Sequence, residues 1–235
     1  MWIYGINPVK EFLLKGKIQQ IAVTKKLYDR LNKDRDFAVL LNGHKIKIIE
    51  KFEKFLPMGV NHQNIAALID APKKLTYNDF IHQRSEVKKI VILDQITDIG
   101  NVGNIIRSAI AFGIKDLFVP EYNSAENYAA IAKSSSGMLV NMNIYSVPNL
   151  NKLIFSLKAQ EFWCVGLDGH ANSELRDLKK FEKIAIIVGS EGRGVRNLVK
   201  KNCDLLVKVP MSPDAESLNA ANAASIVFYE LFCKK

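Results

Sequence analysis

The stretch from Lys183 to Gly194 reads KIAIIVGSEGRG, and it joins a wholly apolar run to a glycine-rich loop. The apolar run, Ile184 to Val188, predicts a strand that is buried on both faces. Similar runs rich in Val and Ile recur along the chain: KKIVILD (88–94), DLFVP (116–120), FWCVGLD (162–168) and LLVKVP (205–210). Each is followed by a loop and a helical stretch, so we predict an α/β fold with a parallel sheet covered on both faces. Ligands bind such sheets at the carboxyl ends of the strands, where we therefore expect the chemistry.

The loop from Gly189 to Gly194 holds three glycines in six residues, which permits a ligand to approach the backbone closely. Glu191 lies among them, where a carboxylate favours the N-terminal dipole of a helix expected near Val195. Arg193 and Arg196 are disfavoured by the same dipole. We therefore interpret the two arginines as candidates for phosphate contact.

A second loop, Thr97 to Asn104, follows the strand predicted to end at Asp94 and precedes a helix predicted from Ile105 to Phe112. Its two glycines lack the GxGxxG spacing of a dinucleotide site, which argues against a nucleotide-dependent dehydrogenase. Asn101 and Arg107 are six residues apart, and both side chains could face one cleft. The alternative is that Asn101 caps the helix and Arg107 is a solvated surface charge.

The third motif is Val209-Pro210-Met211, followed by Ser217-Leu218-Asn219 at the start of a helix rich in Ala, Ser and Asn. Small residues let another backbone come close, and Asn219 and Asn222 lie on adjoining turns of one face. The alternative is a tightly packed core or dimer helix, with Ser217 as its cap only.

The first 70 residues predict a separate, compact α/β/α unit. They contain a helix from Val9 to Leu14 capped by Asn7, a strand from Ile18 to Val23 and a helix from Leu27 to Leu41. Two further strands are predicted at 45–49 and 64–69. Residues 71–87 are polar and predict a linker, so the larger domain comprises residues 88–235.

Composition points to a polyanionic partner in the cytoplasm. Lys and Arg number 33 against 24 Asp and Glu, a net charge of +9, which favours nucleic acid first and anionic membrane second. The three cysteines are distant from one another and the four histidines show no metal-ligand spacing, so we predict inert thiols and no metal. No signal peptide or run of about 20 apolar residues is present, which predicts a cytoplasmic protein.

In this order, the three motifs resemble those of the SpoU/TrmH family of RNA 2′-O-ribose methyltransferases, over residues 88–233. The Tyr4 to Val9 opening and the His62 to Ala67 element resemble the small substrate-binding domain of the family's RlmB-like branch, which is similar in fold to ribosomal protein L30e. That branch methylates a guanosine of 23S rRNA. The resemblance implies a sheet whose C-terminal part is threaded into a deep trefoil knot, the SPOUT class, and a homodimer. One departure is Asp98-Ile99-Gly100 before Asn101, where relatives often have Asp-Pro-x-Asn.

The resemblance also implies roles for individual residues. The family assigns catalytic or orienting roles to the counterparts of Asn101, Arg107, Glu191, Ser217 and Asn219. S-adenosylmethionine is expected against Gly166, Leu167, Gly169, Gly189, Gly194, Val209, Pro210, Met211 and Leu218. The family makes Arg107 the base, assisted by an RNA phosphate; a guanidinium stays protonated in almost any site, so bidentate phosphate contact and alkoxide stabilisation are the alternative.

RNA contact is expected from basic residues of both domains: Lys10, Lys15, Lys17, Lys25, Lys26, Arg193 and Arg196. Together they predict an affinity that falls steeply with salt. Two alternatives stay open: a tRNA target, and a non-catalytic RNA-binding or ribosome-assembly protein.

Overall fold

The computed structural model describes residues 1–83 and 87–232, which form two compact units. Unit 1 comprises Met1–Lys73 together with Asn127–Val140, and unit 2 comprises the described residues of 74–126 and 141–235. The helices are α1 (Ile6–Leu14), α2 (Lys25–Leu31), α3 (Arg35–Leu41), α4 (Tyr77–Gln83), α5 (Ile99–Ala111), α6 (Tyr128–Ser134), α7 (Leu150–Lys158), α8 (Asn197–Asn202) and α9 (Ala220–Phe232). The strands are β1 (Trp2–Tyr4), β2 (Ile18–Val23), β3 (Ile46–Ile48), β4 (Ile65–Ile69), β5 (Lys89–Asp94), β6 (Asp116–Pro120), β7 (Asn143–Val147), β8 (Trp163–Leu167), β9 (Ser173–Glu174), β10 (Ile184–Gly189) and β11 (Leu205–Lys208).

Unit 1 is a mixed sheet with helices, in the strand order β1-β4-β2-β3. Strand β2 has the predicted bounds, but the helix predicted from Leu27 to Leu41 is two helices. The chain breaks at Asp34, whose carboxylate accepts hydrogen bonds from the backbone N–H groups of Asp36 (3.1 Å) and Phe37 (3.2 Å) and so begins α3. Helix α1 begins before the predicted cap, since the residue that precedes it is Gly5, at φ 100°.

A segment of the later chain, 127–140, packs with unit 1 and carries α6. The contact is close at Gly137, where a Cβ atom would lie 2.8 Å from Pro8 Cα and 2.8 Å from Glu11 Cβ of α1. The sequence analysis predicted a larger domain of residues 88–235, which includes this segment. In the structure the segment belongs to unit 1.

Among the described residues, unit 2 has a seven-stranded sheet in the order β7-β6-β5-β10-β8-β11-β9, in which all neighbouring strands are parallel. The predicted α/β fold with a parallel sheet is confirmed, whereas the knot stays a prediction. Helix α4 lies within the predicted linker, yet its Phe80 is fully buried, with its ring 5.1 Å from that of Phe118 and 5.4 Å from that of Tyr145. Helix α4 therefore contributes Phe80 to the core of unit 2, with Tyr77 and Ile81 packed against that core.

Two of the three cysteines lie in unit 2 and are free thiols, Cys164 buried and Cys203 half-buried. Burial raises the pKa of each thiol to about 12, so both are protonated at neutral pH. This agrees with the predicted inert thiols. Cys233 lies outside the described residues.

Candidate active site

Three of the five predicted catalytic residues converge in unit 2 from distant parts of the sequence. Asn101 lies in the first turn of α5, Glu191 follows β10, and Asn219 directly precedes α9. The Asn101 Nδ2 donates to Glu191 Oε1 at 3.0 Å, and the Asn219 Nδ2 donates to Asn101 Oδ1 at 2.8 Å. Asn219 Nδ2 also donates to Glu191 Oε1. We call these three residues the motif cluster; its side chains hold one another in place.

Helix α5 begins earlier than predicted, at Ile99, so most of the expected loop before it is helical. Asp98 is its N-cap, and its carboxylate accepts a hydrogen bond from the backbone N–H of Asn101 at 2.7 Å. The capping alternative for Asn101 is therefore wrong. The residue is 8% exposed, and its side chain donates to Glu191 instead.

Asn219, and not Ser217, caps α9. The Asn219 Oδ1 accepts hydrogen bonds from the backbone N–H groups of Ala221 (2.9 Å) and Asn222 (3.3 Å). Ser217 lies two residues earlier and is exposed, and within the described ranges it makes no hydrogen bond. The predicted cap was displaced because an Asn at the residue before the helix reaches the same donors.

Arg107 lies on α5, six residues after Asn101, and its side chain is exposed. Six residues rotate a helix position by about 240° relative to the first, so the two side chains point in different directions. Arg107 has no ion-pair or hydrogen-bond partner among the residues that the structure describes. It is therefore available to a phosphate, but it is not part of the motif cluster.

The predicted cofactor residues lie along one edge of the sheet. Strands β10, β8 and β11 are adjacent and parallel, so their carboxyl ends lie side by side. The predicted residues fall at or just beyond these ends: Gly166, Leu167, Gly169, Gly189, Gly194, Val209, Pro210 and Met211. Leu218 lies two residues before α9 and is half-buried.

The glycines of this edge differ in what surrounds them. A Cβ at Gly169 would meet nothing within 4 Å, so this position is open to a ligand. A Cβ at Gly166 would lie 2.8 Å from Leu206 Cδ2 and 3.2 Å from Cys203 Sγ, so packing inside the sheet explains that glycine. The open position and the three adjacent strand ends fit a ligand bound against the backbone.

The glycine loop, residues 189–194, folds back onto the end of β10. A Cβ at Gly189 would lie 2.1 Å from both the Gly194 carbonyl carbon and the Val195 nitrogen, so only glycine fits. The Gly194 N–H donates to the Ser190 carbonyl at 2.8 Å, and Gly194 has φ 63°, a region that favours glycine. Glu191 thus projects from a tightly folded turn.

Two aspartates outside the three sequence motifs order this edge. Asp94, the last residue of β5, is fully buried and is bonded to Arg196. Asp168, just after β8, accepts from Lys200 Nζ at 2.6 Å and from the His170 N–H at 3.0 Å. Burial raises the pKa of Asp168, but these two donors outweigh it and leave that pKa below its usual value. Each residue ends an apolar run, and an acidic residue at the end of a predicted strand is the sequence feature that could have identified both as site residues.

The predicted RNA contacts fall in both units. In unit 1, Lys10 is half-buried and Lys15, Lys25 and Lys26 are exposed; Lys25 pairs with Asp29 at 2.9 Å. In unit 2, Arg193 is exposed, whereas the Nε of Arg196 is engaged by Asp94. The Arg196 side chain is 46% exposed, so the contact of its guanidinium with an RNA phosphate stays a prediction.

Over residues 1–83 and 87–232, no group of three or more His, Cys, Asp or Glu side chains could hold a metal ion. Within the same ranges, every helix is too short or too polar to cross a bilayer.

Two protein-family descriptions match the chain, one for each part. Residues 88–229 match the SpoU rRNA Methylase family. Residues 2–75 match the family described as RNA 2′-O ribose methyltransferase substrate binding.

Two relatives that match over nearly the whole chain carry the same name. A protein of Staphylococcus epidermidis named as a TrmH family tRNA/rRNA methyltransferase is 31% identical, covering 99% of this chain and 95% of the relative. A Staphylococcus haemolyticus protein of the same name is 35% identical, covering 99% and 95%.

Solved structures share the fold. The SpoU methyltransferase AviRb of Streptomyces viridochromogenes, in complex with AdoMet, superposes with a TM-score of 0.78 at 25% identity, covering 99% of this chain and 89% of that chain. An AdoMet-bound rRNA methyltransferase of Sinorhizobium meliloti gives a TM-score of 0.75 at 21% identity, covering 97% and 85%.

Proposed function

Since the chain belongs to the SpoU/TrmH family of RNA methyltransferases, we propose that it transfers the methyl group of S-adenosylmethionine to a ribose 2′-hydroxyl in structured RNA. The observation that carries the proposal is the motif cluster. Its three residues come from positions 101, 191 and 219, and they are joined by direct hydrogen bonds. A non-catalytic RNA-binding protein would not need these side chains together.

The cofactor would be held at the carboxyl ends of β8, β10 and β11, against the open backbone at Gly169 and the segment Val209–Met211. When bound, it supplies a methyl group on a cationic sulfur, which is already an activated leaving group. The chain's task is then to bring the 2′-oxygen into line and to exclude other orientations, which can supply much of the rate enhancement.

We assign Arg107 to the RNA side of the reaction. Its exposed guanidinium can contact a phosphate with two parallel hydrogen bonds and stabilise the negative charge that develops on the 2′-oxygen. Because a guanidinium holds its proton in nearly all protein sites, we favour this role over that of the base. The O–CH3 bond then forms as the S–CH3 bond breaks, and the hydroxyl proton passes to the RNA phosphate or to solvent water. Glu191 and Asn219 would fix Asn101 and the loop, and Ser217, which is exposed, would orient the ribose.

For the target we propose a guanosine of 23S rRNA, on the resemblance of the first domain to that of the RlmB-like branch. A tRNA is the second candidate, since the names of the relatives include both RNA classes. RNA phosphates would be contacted by basic residues of both units: Lys10, Lys15, Lys25, Lys26 and Arg193. We place this activity in the cytoplasm.

Methyl transfer to RNA tests the proposed function directly. We expect the purified chain to transfer label from methyl-labelled S-adenosylmethionine to total RNA of a strain that lacks the gene, and much less to RNA of the parent strain. Separating rRNA from tRNA, and mapping the sites that resist alkaline hydrolysis, identifies the nucleotide. Label on bases instead of ribose, or no label on any RNA, would exclude the proposal.

We also propose that the chain forms a homodimer through the outer face of α9. Ile226, Tyr229 and Phe232 are 40–57% exposed and recur every three residues, so they line one face. The Phe112 ring of α5 lies 5.8 Å from the rings of both Tyr229 and Phe232, which widens the apolar surface. A second copy of the chain is the occupant that the family resemblance implies.

Sedimentation velocity tests the dimer. We expect the wild type at twice the chain mass and the Ile226→Glu/Phe232→Glu double variant as a monomer, because charges on a buried apolar face oppose association. Phe155 on α7 is 59% exposed and serves as the matched control, so Phe155→Glu should remain dimeric. A monomeric wild type would show the proposal to be wrong.

A further inference from the structure

We propose that Asp94 and Arg196 form a positioning pair that sets the path of the glycine loop and thereby the location of Glu191. The proposal rests on the proposed function, because it explains how one member of the motif cluster is held. It also gives Arg196 a role other than direct RNA contact.

The pair is a buried carboxylate with both oxygens engaged by one residue. Asp94 Oδ2 accepts the backbone N–H of Arg196 at 2.8 Å, and Asp94 Oδ1 accepts the Arg196 Nε at 2.7 Å. The Asp94 side chain is 0% exposed, whereas that of Arg196 is 46% exposed. A buried carboxylate is costly without such partners, so the pair constrains where residue 196 can lie.

Both ends of the loop are fixed at Asp94. At the start, Gly189 is the register partner of Asp94 in the β5–β10 pairing. At the end, residue 196 is bonded to the Asp94 carboxylate. The chain between them makes one tight turn, in which the Arg193 N–H donates to the Glu191 carbonyl at 2.9 Å. Because the segment is short and closed at both ends, a shift at residue 196 is transmitted to Glu191.

Replacing Asp94 with asparagine keeps the size of the side chain but removes one acceptor. An amide offers one oxygen and an NH₂ group, so either the backbone N–H or the Nε of Arg196 would face a donor. The loop would have to move to relieve that contact, and a displacement of about 1 Å in a site can lower a rate about 100-fold.

The experiment compares Asp94→Asn, Arg196→Ala and the double variant with a matched control. Asp204, which directly precedes β11, is another aspartate with both carboxylate oxygens engaged, although by two residues and with 25% of its side chain exposed. Its Oδ2 accepts the Cys164 N–H at 2.8 Å, and its Oδ1 pairs with Lys158 at 2.8 Å. We expect Asp94→Asn to lower kcat by roughly 10- to 100-fold with the KM for RNA nearly unchanged. Arg196→Ala, which keeps the backbone hydrogen bond, should lower kcat less, and the double variant should be no worse than Asp94→Asn. Asp204→Asn should keep kcat within about twofold, whatever its unfolding temperature.

A second readout does not depend on activity. Hydrogen exchange of the backbone amides of residues 190–196 should be faster in Asp94→Asn than in the wild type, and unchanged in Asp204→Asn.

The opposite pattern would overturn the proposal. If Arg196→Ala only raises the KM for RNA and lessens its salt dependence, while Asp94→Asn leaves kcat and loop exchange unchanged, Arg196 is an RNA contact. A wild type that methylates no RNA would refute the proposed function alone, and the exchange measurement would still decide whether the pair holds the loop.

Discussion

Replacement of Arg107 by alanine is expected to lower methyl transfer by at least about 100- to 1000-fold, the loss seen when a single group that stabilises developing negative charge is removed. The dissociation constant for S-adenosylmethionine should change by less than about twofold. Arg107 lies on α5, whereas none of the predicted cofactor residues belongs to that helix. Folding should be preserved as well, since an exposed arginine is replaced by the best helix former. Single-turnover kinetics and calorimetric titration of the cofactor measure the two quantities.

Two further variants are needed to interpret the Arg107→Ala result: one separates charge from geometry, and the other is a control. Arg107→Lys keeps the charge without the planar fork, so a partial loss indicates charge stabilisation and a full loss indicates bidentate contact. Arg30→Ala removes another exposed helical arginine, on α2 of unit 1, and should leave the single-turnover rate at saturating RNA almost unchanged. If Arg107→Ala abolished cofactor binding, or turned over normally, the assignment of Arg107 would be incorrect.

Local sequence patterns predicted the parallel sheet, whereas the family resemblance selected the residues of the motif cluster, together with Arg107 and Ser217, which lie outside it. Apolar runs bounded by polar residues gave Asp116–Pro120 its observed limits. Asn101 and Glu191 follow adjacent strands, β5 and β10, and residues that follow parallel neighbours meet at one edge of the sheet. No pattern predicted which side chains would form hydrogen bonds, but the topology limited the possible partners to residues at this edge of the sheet.

Three features were not predicted: the helix break at Asp34, the cap of α9 and the packing of segment 127–140. They depend on side-chain hydrogen bonds and tertiary contacts that a periodic pattern does not show. Leu27, Leu31 and Leu41 keep a helical spacing across a break, and the Asp34 side chain prevails over that spacing by capping a new helix. Asn219 similarly displaced Ser217 as the cap of α9. The packing of segment 127–140 with unit 1 depends on the fit of Gly137 against α1, a tertiary contact that composition does not reveal.

Replacement of Gly189 by alanine is expected to destabilise unit 2 by at least about 3 kcal/mol, the upper end of the usual cost of overpacking. The added Cβ would lie 2.1 Å from the Gly194 carbonyl carbon and the Val195 nitrogen and 2.3 Å from the Gly194 oxygen. All three are backbone atoms, so no rotamer change can relieve the contact, and the loop that carries Glu191 must leave the end of β10. Thermal unfolding should begin roughly 6–12 °C lower, and methyl transfer should be lost even below the transition.

Alanine variants of two other glycines at this edge distinguish the cost of steric crowding from the cost of backbone strain. Gly192 has φ 78° with nothing within 4 Å of the added Cβ, so Gly192→Ala should cost only about 1–2 kcal/mol, through conformation alone. Gly169→Ala meets neither obstacle, so its unfolding free energy should stay within about 0.5 kcal/mol of the wild type. The free energy of unfolding is therefore expected to be highest for Gly169→Ala, lower for Gly192→Ala and lowest for Gly189→Ala. Equal unfolding temperatures for the first and last would mean that the loop does not fold back onto β10, and the support that this turn gives to Glu191 would then be absent.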